Sequence, residues 1–469
     1  MANKFDMQIK TSSKMKNWEE KLGFPANVKV KKGKGVVLVG HDNGSTQTRV
    51  TIMDSEDGME AVKRLYVIPS IHSAIDEGDL IESKSDSLYD NMDSYITCQN
   101  LPPYNPFTSK RVLRGTKRLD GNFPINRMDS SRPKIETDAF YFNTIDSIAY
   151  GLIQKYSRTA EITKNDEMLL DEEEVFALKE KAKTAVLYEE YDVYSTISLP
   201  ADETYSENDL NTMKKKMIGT FRWVNSSLDI VLKINIKAVN VTSESVAAQE
   251  GYAVLYGDEE NEDDSLNNSL ILDGGGRNVG TGLMVNGRTI DSASRALSFG
   301  GTKLHFDLGV AIAKGENGGS ISEDLIEKAL QTGTLKMKRK GVVDVSEYII
   351  ATKKHMAKEI YDDAKIQIFD TNRDVKLEDV ECLLLSGRLF ESGSFPEEPK
   401  GYSIAEELTR LFREDLPDLE VKRIPSHMIA IANCIKSYDS FGGVFENEDE
   451  EEEIIEENSE EIVTPEIDN

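Results

Sequence analysis

One short pattern occurs twice in this chain, and it restricts the possible folds more than any other feature. In each copy an apolar strand ends in an aspartate, a glycine-containing turn follows, and a second strand returns. The first copy spans residues 36–50 around Asp42 and Gly44, and the second spans residues 270–280 around Asp273. Either copy alone is compatible with an ordinary hairpin. Two copies suggest an ancient duplication and predict two similar domains that face each other across a cleft.

The first turn contains the residue types that bind phosphate groups and magnesium. Gly44 lets a phosphate approach the backbone closely, and Ser45 and Thr46 offer hydroxyl and N–H donors. Asp42 can hold a hydrated Mg²⁺ ion. Arg49 returns on the second strand with its charge near the same turn. The alternative for Arg49 is an ordinary exposed strand residue.

The chain is strongly acidic, with a formal net charge of −28. Residues 1–35 are basic, whereas residues 444–469 hold thirteen acids and no base. An acidic body binds neither nucleic acid nor anionic membrane well, so any contact with DNA is expected to need a basic adaptor protein. We expect a cytoplasmic location, because no apolar run is long enough for a membrane span or a signal peptide.

Cysteine and histidine spacing excludes several other kinds of site. The three cysteines lie far apart in the sequence, and the five histidines are equally dispersed. We therefore expect no disulfide framework, no zinc site and no histidine-based catalytic triad.

The chain divides into two predicted domains and two terminal extensions. A polar, acidic loop at 258–268 marks the boundary between the domains. A final helix at 429–438 either stays in the second domain or returns to the first. The predicted segments are a basic N-terminal extension (1–35), a first domain (36–257), an inserted subdomain within it (about 76–135), a second domain (258–443), a variable subdomain within that (about 315–343) and a disordered acidic tail (444–469).

Periodicity and capping signals predict further elements within these domains. Ser206 and Asp209 fit a capping box at the start of a lysine-rich helix, with Asp in place of the usual Glu. The other predicted elements used below are a third strand at 61–71, an amphipathic helix at Asp138–Tyr156, an acidic helix at 171–182 and a long helix at 345–368.

Five short elements follow one another in a fixed order. They are Asp42-x-Gly44-Ser45-Thr46, Glu244 at a helix start, Asp273-x-Gly275-Gly276, Gly300-Gly301, and Leu385-Ser386-Gly387. No single element is specific, but the ordered set resembles the actin, heat-shock chaperone and sugar-kinase ATPase superfamily. In detail the chain is most similar to bacterial actin-like proteins of the ParM (plasmid-segregation) type. The resemblance runs from about residue 36 to residue 438.

The resemblance implies an α/β fold of the actin-like, two-domain type, with ATP or GTP and Mg²⁺ as ligands. Two duplicated ribonuclease-H-like domains, each a mixed five-stranded sheet with flanking helices, would enclose a nucleotide cleft. The implied roles are phosphate contacts from Gly44, Ser45, Thr46, Arg49, Gly275 and Gly276, water-mediated positioning of Mg²⁺ by Asp42 and Asp273, orientation of the attacking water by Glu244, and nucleoside contacts from Gly300, Gly301, Ser386 and Gly387.

Four positions depart from the ParM-type pattern. Arg277, Asn278 and Gly280 stand where hydroxyl residues and a second acid are usual, and Ser386 stands where a glycine is usual. Nucleotide binding tolerates these changes on chemical grounds, whereas the hydrolysis rate and base preference depend on them. Arg277 either adds a phosphate contact or lies at the rim of the cleft.

The first functional hypothesis is a filament-forming ATPase that moves or positions plasmid or phage DNA through an adaptor. Its partners would be further copies of the chain and that adaptor. The alternatives within the superfamily are a chaperone-like ATPase that does not polymerise and a small-molecule kinase. For Glu244, the alternative to catalysis is an acid that stabilises the helix dipole.

Overall fold

The computed structural model describes residues 31–44, 47–56, 62, 64–70, 72–75, 93–98, 110–114, 132–156, 188–225, 230–256, 264–316, 319–337, 340–370, 375–390, 402–425 and 427–445. Outside these residues lie Ser45 and Thr46, the helix predicted at 171–182, and the acidic tail from residue 446 onward. Most of the predicted N-terminal extension also lies outside them.

Two mixed β-sheets form the centre of the described structure. The first sheet contains β1 (Lys31–Asn43), β2 (Gln47–Met53), β3 (Tyr66–Pro69), β4 (Ser73–Ile75), β5 (Asp93–Cys98), β6 (Lys110–Leu113), β7 (Tyr188–Leu199), β8 (Gly219–Asn225) and β9 (Ile230–Ser243). The second contains β10 (Ser269–Gly274), β11 (Val279–Val285), β12 (Arg288–Thr289), β13 (Arg295–Leu297), β16 (Cys382–Ser386) and β17 (Glu420–Ile424). Strands β14 (Thr334–Met337) and β15 (Gly341–Asp344) form a separate hairpin.

The two sheets share one strand arrangement. The first has the order β3-β2-β1-β7-β9 over five strands, and the second has the order β12-β11-β10-β16-β17. In the first sheet, β1 pairs antiparallel with β2 and parallel with β7. In the second sheet, β10 pairs in the same way, antiparallel with β11 and parallel with β16. This repetition confirms the α/β class and the duplicated mixed sheets predicted from the sequence.

The first sheet is larger than predicted. Among the described residues it has nine strands, because β8, β5, β6 and β4 continue it beyond β9 through antiparallel pairs. Strands β5 and β6 come from the segment predicted as an inserted subdomain. Each is short, six and four residues, so neither produces a run of alternation long enough to read from the sequence.

Eight α-helices surround the sheets within the described residues. They are α1 (Asp138–Tyr156), α2 (Glu207–Met217), α3 (Glu244–Tyr256), α4 (Gly301–Gly315), α5 (Glu323–Thr332), α6 (Ser346–Ala364), α7 (Ile404–Asp415) and α8 (Met428–Phe441). None of the helices in this part of the chain is long and apolar enough to cross a membrane.

The helix and strand predictions that fall on described residues are confirmed, with changes at the ends of the elements. Helix α1 has the predicted bounds, and Ser206 caps α2 by accepting a hydrogen bond from the Asp209 amide at 3.3 Å. The third strand is limited to Tyr66–Pro69. The long helix ends at Ala364, and a π-helical segment, Lys365–Asp370, continues it.

Helices α3 and α8 lie between the two sheets. Helix α8 packs on β1 and β7 of the first sheet and against α3, which itself packs on β10 and β11 of the second sheet. Gly40 permits this arrangement, because a Cβ there would lie 2.1 Å from the Ala430 oxygen and 2.1 Å from the Cys434 nitrogen. Helix α8 therefore packs on the first sheet, although the strand before it in the chain belongs to the second.

Candidate functional site

The two repeated aspartates occupy equivalent places in the two sheets. Asp42 is the penultimate residue of β1, and Asp273 is the penultimate residue of β10. Both side chains are buried. Burial, followed by the negative charge of Asp42, raises the pKa of Asp273 to about 6. The two carboxylates are therefore close enough to repel each other, and a cation near both would relieve that repulsion.

Arg49 provides a positive charge at the first aspartate. Asp42 and Arg49 are directly opposite in the β1–β2 hairpin, and Arg49 Nη1 donates to Asp42 Oδ2 at 2.7 Å. A second guanidinium nitrogen lies 3.3 Å from Gln47 Oε1. In this structure the charge of Arg49 is thus directed at a carboxylate, and its contact with phosphate stays a prediction.

The described part of the first turn is held by a serine that the sequence did not single out. Ser70 Oγ donates to the Gly44 carbonyl oxygen at 2.5 Å and lies 2.9 Å from Thr48 Oγ1. Ser70 follows β3, so the third strand of the sheet supports the turn between the first two. The roles predicted for Ser45 and Thr46 fall outside the described residues.

Glu244 is paired with a lysine. It is the first residue of α3, directly after β9. Lys134 lies in the short 3₁₀ helix Lys134–Glu136 that precedes α1, and its Nζ donates to Glu244 Oε1 and, at 2.8 Å, to the Asn43 carbonyl oxygen. One lysine therefore joins the end of β1 to the carboxylate at the start of α3.

The environment of this pair shifts the pKa of both groups. Burial raises the pKa of Glu244 to about 7, with Lys134 opposing the shift and Asp42 and Asp273 adding to it. Burial alone would lower the pKa of Lys134, but the charge and hydrogen bond of Glu244 raise it above its ordinary value. The carboxylates of the buried Asp42 and Asp273 and of the partly buried Glu244 thus act on one another in a single cluster.

The second turn is fixed to the start of α4. The Gly275 amide donates to the Asn278 oxygen at 2.9 Å, and the amides of Gly301 and Thr302 donate to the oxygens of Gly275 and Gly276 at 3.1 and 2.9 Å. Two N-terminal amides of α4 are therefore occupied by hydrogen bonds to the second turn. Contacts of these glycines with a nucleotide stay predictions.

The third turn follows β16 and lies against the second aspartate. Ser386 is directly opposite Asp273 in the parallel β10–β16 pair, and interaction with its hydroxyl lowers the pKa of Asp273, against the larger effect of burial. Gly387 has a φ of 87°. A Cβ there would lie 2.5 Å from the Gly274 oxygen and 2.8 Å from Asp273 Oδ1, so this position requires glycine. A nucleoside contact at these residues stays a prediction.

The structure brings together the charged residues predicted for the site and adds others. Asp42 forms an ion pair with Arg49. The charge of Asp42 raises the pKa of both Glu244 and Asp273. Lys134 was missed, because a single lysine in a polar segment shows no pattern in one sequence. Within the described residues no three His, Cys, Asp or Glu side chains form a group that could hold a metal directly.

The two matching sheets, with a buried acidic cluster between them, define an actin-like fold. No family model matches the chain, and no curated protein matches it by sequence. Its structure is similar to those of several actin homologues.

Three such structures cover nearly the whole of both chains. Ta0583, an archaeal actin homologue, has a TM-score of 0.50 and 14% identity, over 86% of this chain and 98% of that one. A 15-stranded ParM filament from Clostridium botulinum has a TM-score of 0.52 and 14% identity, over 88% of this chain and 100% of that one. The psk41 ParM protein has a TM-score of 0.50 and 12% identity, over 88% and 99%. The actin-like fold predicted from the sequence is thereby confirmed.

Proposed function

We propose that this protein is an actin-like ATPase that forms filaments when it binds nucleotide. The observation that carries the proposal is the cluster formed by the buried Asp42 and Asp273 and the partly buried Glu244, at the strand ends of two sheets of the same topology. Repulsion among buried carboxylates is unfavourable in the free protein. Binding of Mg²⁺ with a nucleoside triphosphate would relieve this repulsion, because the cation offsets the negative charge of the three carboxylates.

The residues present fit such a ligand. Asp42 and Asp273 would hold Mg²⁺ through water, and the ion would neutralise charge on the phosphates. Arg49 Nη1 lies 2.7 Å from Asp42 Oδ2. When nucleotide binds, the guanidinium would leave this carboxylate and donate to a phosphate oxygen instead. Gly44, Gly275 and Gly276 would present backbone to the phosphates from opposite sides of the cleft.

Glu244 would act on the attacking water. Its carboxylate accepts a hydrogen bond from that water and takes one of its protons as the oxygen bonds to the γ-phosphorus and the bond to the β-phosphate oxygen breaks. Lys134 holds the carboxylate in place through its bond to Glu244 and its 2.8 Å bond to the Asn43 oxygen. Lys134 also favours the charged form of Glu244, which is the form that can accept a proton.

Self-association is proposed from the overall fold. Among the similar structures, one is a ParM filament and one is a ParM mutant described as non-polymerisable. Another is Ta0583 in complex with ADP. These support a nucleotide-linked change between two conformers of this chain, of which one assembles.

The proposed cargo is plasmid or phage DNA, moved through an adaptor protein. The net charge of −28 disfavours direct contact with DNA. A basic adaptor bound to DNA would be attracted to the same charge.

Light scattering and pelleting test this proposal on the purified full chain. We expect scattering to rise after addition of Mg-ATP or Mg-GTP, to decay as the nucleotide is consumed, and to persist with a non-hydrolysable analogue. Glu244→Gln should behave with ATP as the native chain behaves with the analogue. Glu207→Gln, at an exposed position on α2, serves as the matched control and should behave as native.

Two outcomes would contradict parts of the proposal. Nucleotide binding without assembly under any condition would exclude filaments and favour a chaperone-like ATPase. Phosphate transfer to a sugar or other hydroxyl compound, in place of release to water, would identify a kinase.

A further inference from the structure

Arg277 connects the two halves of the molecule at the edge of the site. It lies in the turn after β10, in the half built on the second sheet. Its Nη1 donates to the Arg132 carbonyl oxygen at 2.8 Å and to Glu203 Oε1 at 3.1 Å. Arg132 and Glu203 both belong to the half built on the first sheet. The Glu203 side chain is 4% exposed and that of Arg277 is 25% exposed, so the ion pair is partly shielded from water.

These contacts lie on both sides of Lys134 in the chain. Arg132 comes two residues before Lys134. The other carboxylate oxygen of Glu203, Oε2, accepts a hydrogen bond from the Ile135 amide at 3.4 Å, one residue after Lys134. Arg277 thus holds the Lys134 segment directly from one side and through Glu203 from the other.

A second contact joins the same two halves close by. The Tyr205 hydroxyl donates to the Ser294 carbonyl oxygen and accepts a hydrogen bond from Arg295 Nη1 at 2.8 Å. The Arg295 guanidinium also lies over the Tyr205 ring, 5.9 Å from its centroid. Tyr205 is two residues after Glu203, so one short segment of the first half makes both contacts.

We propose that Arg277 and Glu203 are positioning residues that hold the cleft closed and thereby place Lys134 against Glu244. The inference rests on the proposed hydrolysis at Glu244. Opening the cleft would separate Arg277 from Glu203 and leave a buried carboxylate without its cation, which is unfavourable. It would also release the Arg132 carbonyl oxygen, so the Lys134 segment would lose supports on both sides together.

Arg277 is one of the positions at which the chain departs from the ParM-type pattern. Its charge is directed across the cleft at the first half of the molecule rather than at a phosphate group. Closure and catalytic geometry would then depend on one side chain. Nucleotide binding would be coupled to the filament-forming conformer through it.

A distance measurement tests closure without relying on catalysis. Spin labels would be placed at Asn208 on α2 and Lys328 on α5, two exposed positions in different halves. Cys98→Ser in this background leaves only the buried Cys382 and Cys434 as native thiols. We expect Arg277→Ala to give a longer and broader distance distribution in the nucleotide-free protein. An unchanged distribution would overturn the inference, whether or not the protein hydrolyses nucleotide.

Steady-state kinetics test the positioning role. We expect Arg277→Ala to lower kcat by about tenfold or more with little change in KM, since small displacements of catalytic groups have effects of this size. Arg277→Lys, which keeps the charge, should recover part of kcat. Glu203→Gln combined with Arg277→Ala should be no slower than Arg277→Ala alone, because both changes break the same connection.

The control is Arg288→Ala. Arg288 is exposed and pairs with Val285 at the end of β11 remote from the site, so its loss should change neither kcat nor the measured distance. If Arg277→Ala and Arg288→Ala lose kcat equally, Arg277 has no specific role. The same conclusion follows if the variant that combines Glu203→Gln with Arg277→Ala shows the sum of the losses of its two single variants. If the native chain hydrolyses no nucleotide, the proposed function fails and the distance measurement alone decides whether the closure contact exists.

Discussion

Burial raises the pKa of Glu244 and Lys134 opposes that rise, and this leads to a prediction about pH. The pKa of Glu244 is raised to about 7 in the free protein. Because only the carboxylate can accept a proton from water, kcat/KM should rise by roughly tenfold between pH 6 and pH 8. Lys134→Met removes the cation that opposes this pKa shift, so the midpoint of the profile should move to higher pH while the plateau falls.

The control for this profile is Lys328→Met, at an exposed position on α5. Its profile should match that of the native chain. A profile for Lys134→Met with an unmoved midpoint would show that Lys134 does not act through the charge of Glu244.

Asp273 leads to a prediction about stability. Burial and the charge of Asp42 raise its pKa to about 6, so the folded protein binds this proton more tightly than the unfolded chain does. The stabilisation that comes from this tighter proton binding is therefore fully present at low pH and is lost as pH rises through about 6. Asp273→Asn should raise the free energy of unfolding of the nucleotide-free protein at pH 8 by about 1 to 3 kcal/mol, and by less at pH 5.

Urea unfolding at the two pH values measures this effect. Asp202→Asn, at an exposed position beside Glu203 in the chain, should leave the free energy of unfolding within about 0.5 kcal/mol of the native value. Asp273→Asn should also lose the stabilisation that Mg-nucleotide gives the native chain. A variant less stable than native at pH 8 would show that Asp273 carries no electrostatic cost.

At the scale of single residues, the sequence predicted the site residues that lie at the ends of strands and helices. It missed those that reach the site from distant segments. Asp42 and Asp273 follow apolar strands, and Glu244 begins a helix, so local patterns mark all three. Lys134 and Glu203 lie 110 and 41 positions before Glu244 in the chain. Their roles arise from packing between distant segments, and a single sequence does not record such contacts.

At the scale of elements, long buried strands and their hairpins were predictable. The runs before Asp42 and Asp273 are continuous and apolar, and both are confirmed as central strands. Strands β5 and β6 were not predicted, because six and four residues are too few to show alternation among polar neighbours. Hydrogen bonding to the sheet edge, rather than local propensity, determines these strands.

Helix α8 gives a prediction at this scale. A Cβ on Gly40 would lie 2.1 Å from backbone atoms of Ala430 and Cys434, and a helix backbone cannot move aside without losing its packing on β1. Gly40→Ala should therefore lower the free energy of unfolding by about 1 to 3 kcal/mol or more. It should also weaken nucleotide binding, since Asn433 on α8 donates to the His41 oxygen at 2.5 Å, beside Asp42.

Gly319→Ala is the control, because a Cβ at Gly319 meets no atom within 4 Å. Chemical unfolding and nucleotide titration of both variants measure the effect. A Gly40→Ala variant as stable as the Gly319→Ala variant would show that α8 is not packed against β1 as described.

At the scale of the whole molecule, the proposed assembly would have to overcome repulsion between acidic subunits. Each subunit carries a net charge of −28, and repulsion between such bodies is screened by salt. Removing residues 446–469 deletes thirteen acids from that −28 and leaves −15. None of the residues assigned to the site belongs to this segment, so the truncated chain should hydrolyse nucleotide at the native rate per subunit.

Filaments of the truncated chain should instead bundle at lower salt than native filaments do. Light scattering and electron microscopy between about 20 and 150 mM salt would measure this difference, which should shrink as screening increases. A matched chain with the same acids replaced by Gln and Asn separates charge from length, and it should bundle like the truncation. Loss of hydrolysis in the truncated chain would show that these residues contribute to the folded site, and bundling that is independent of salt would exclude charge repulsion as the spacing force.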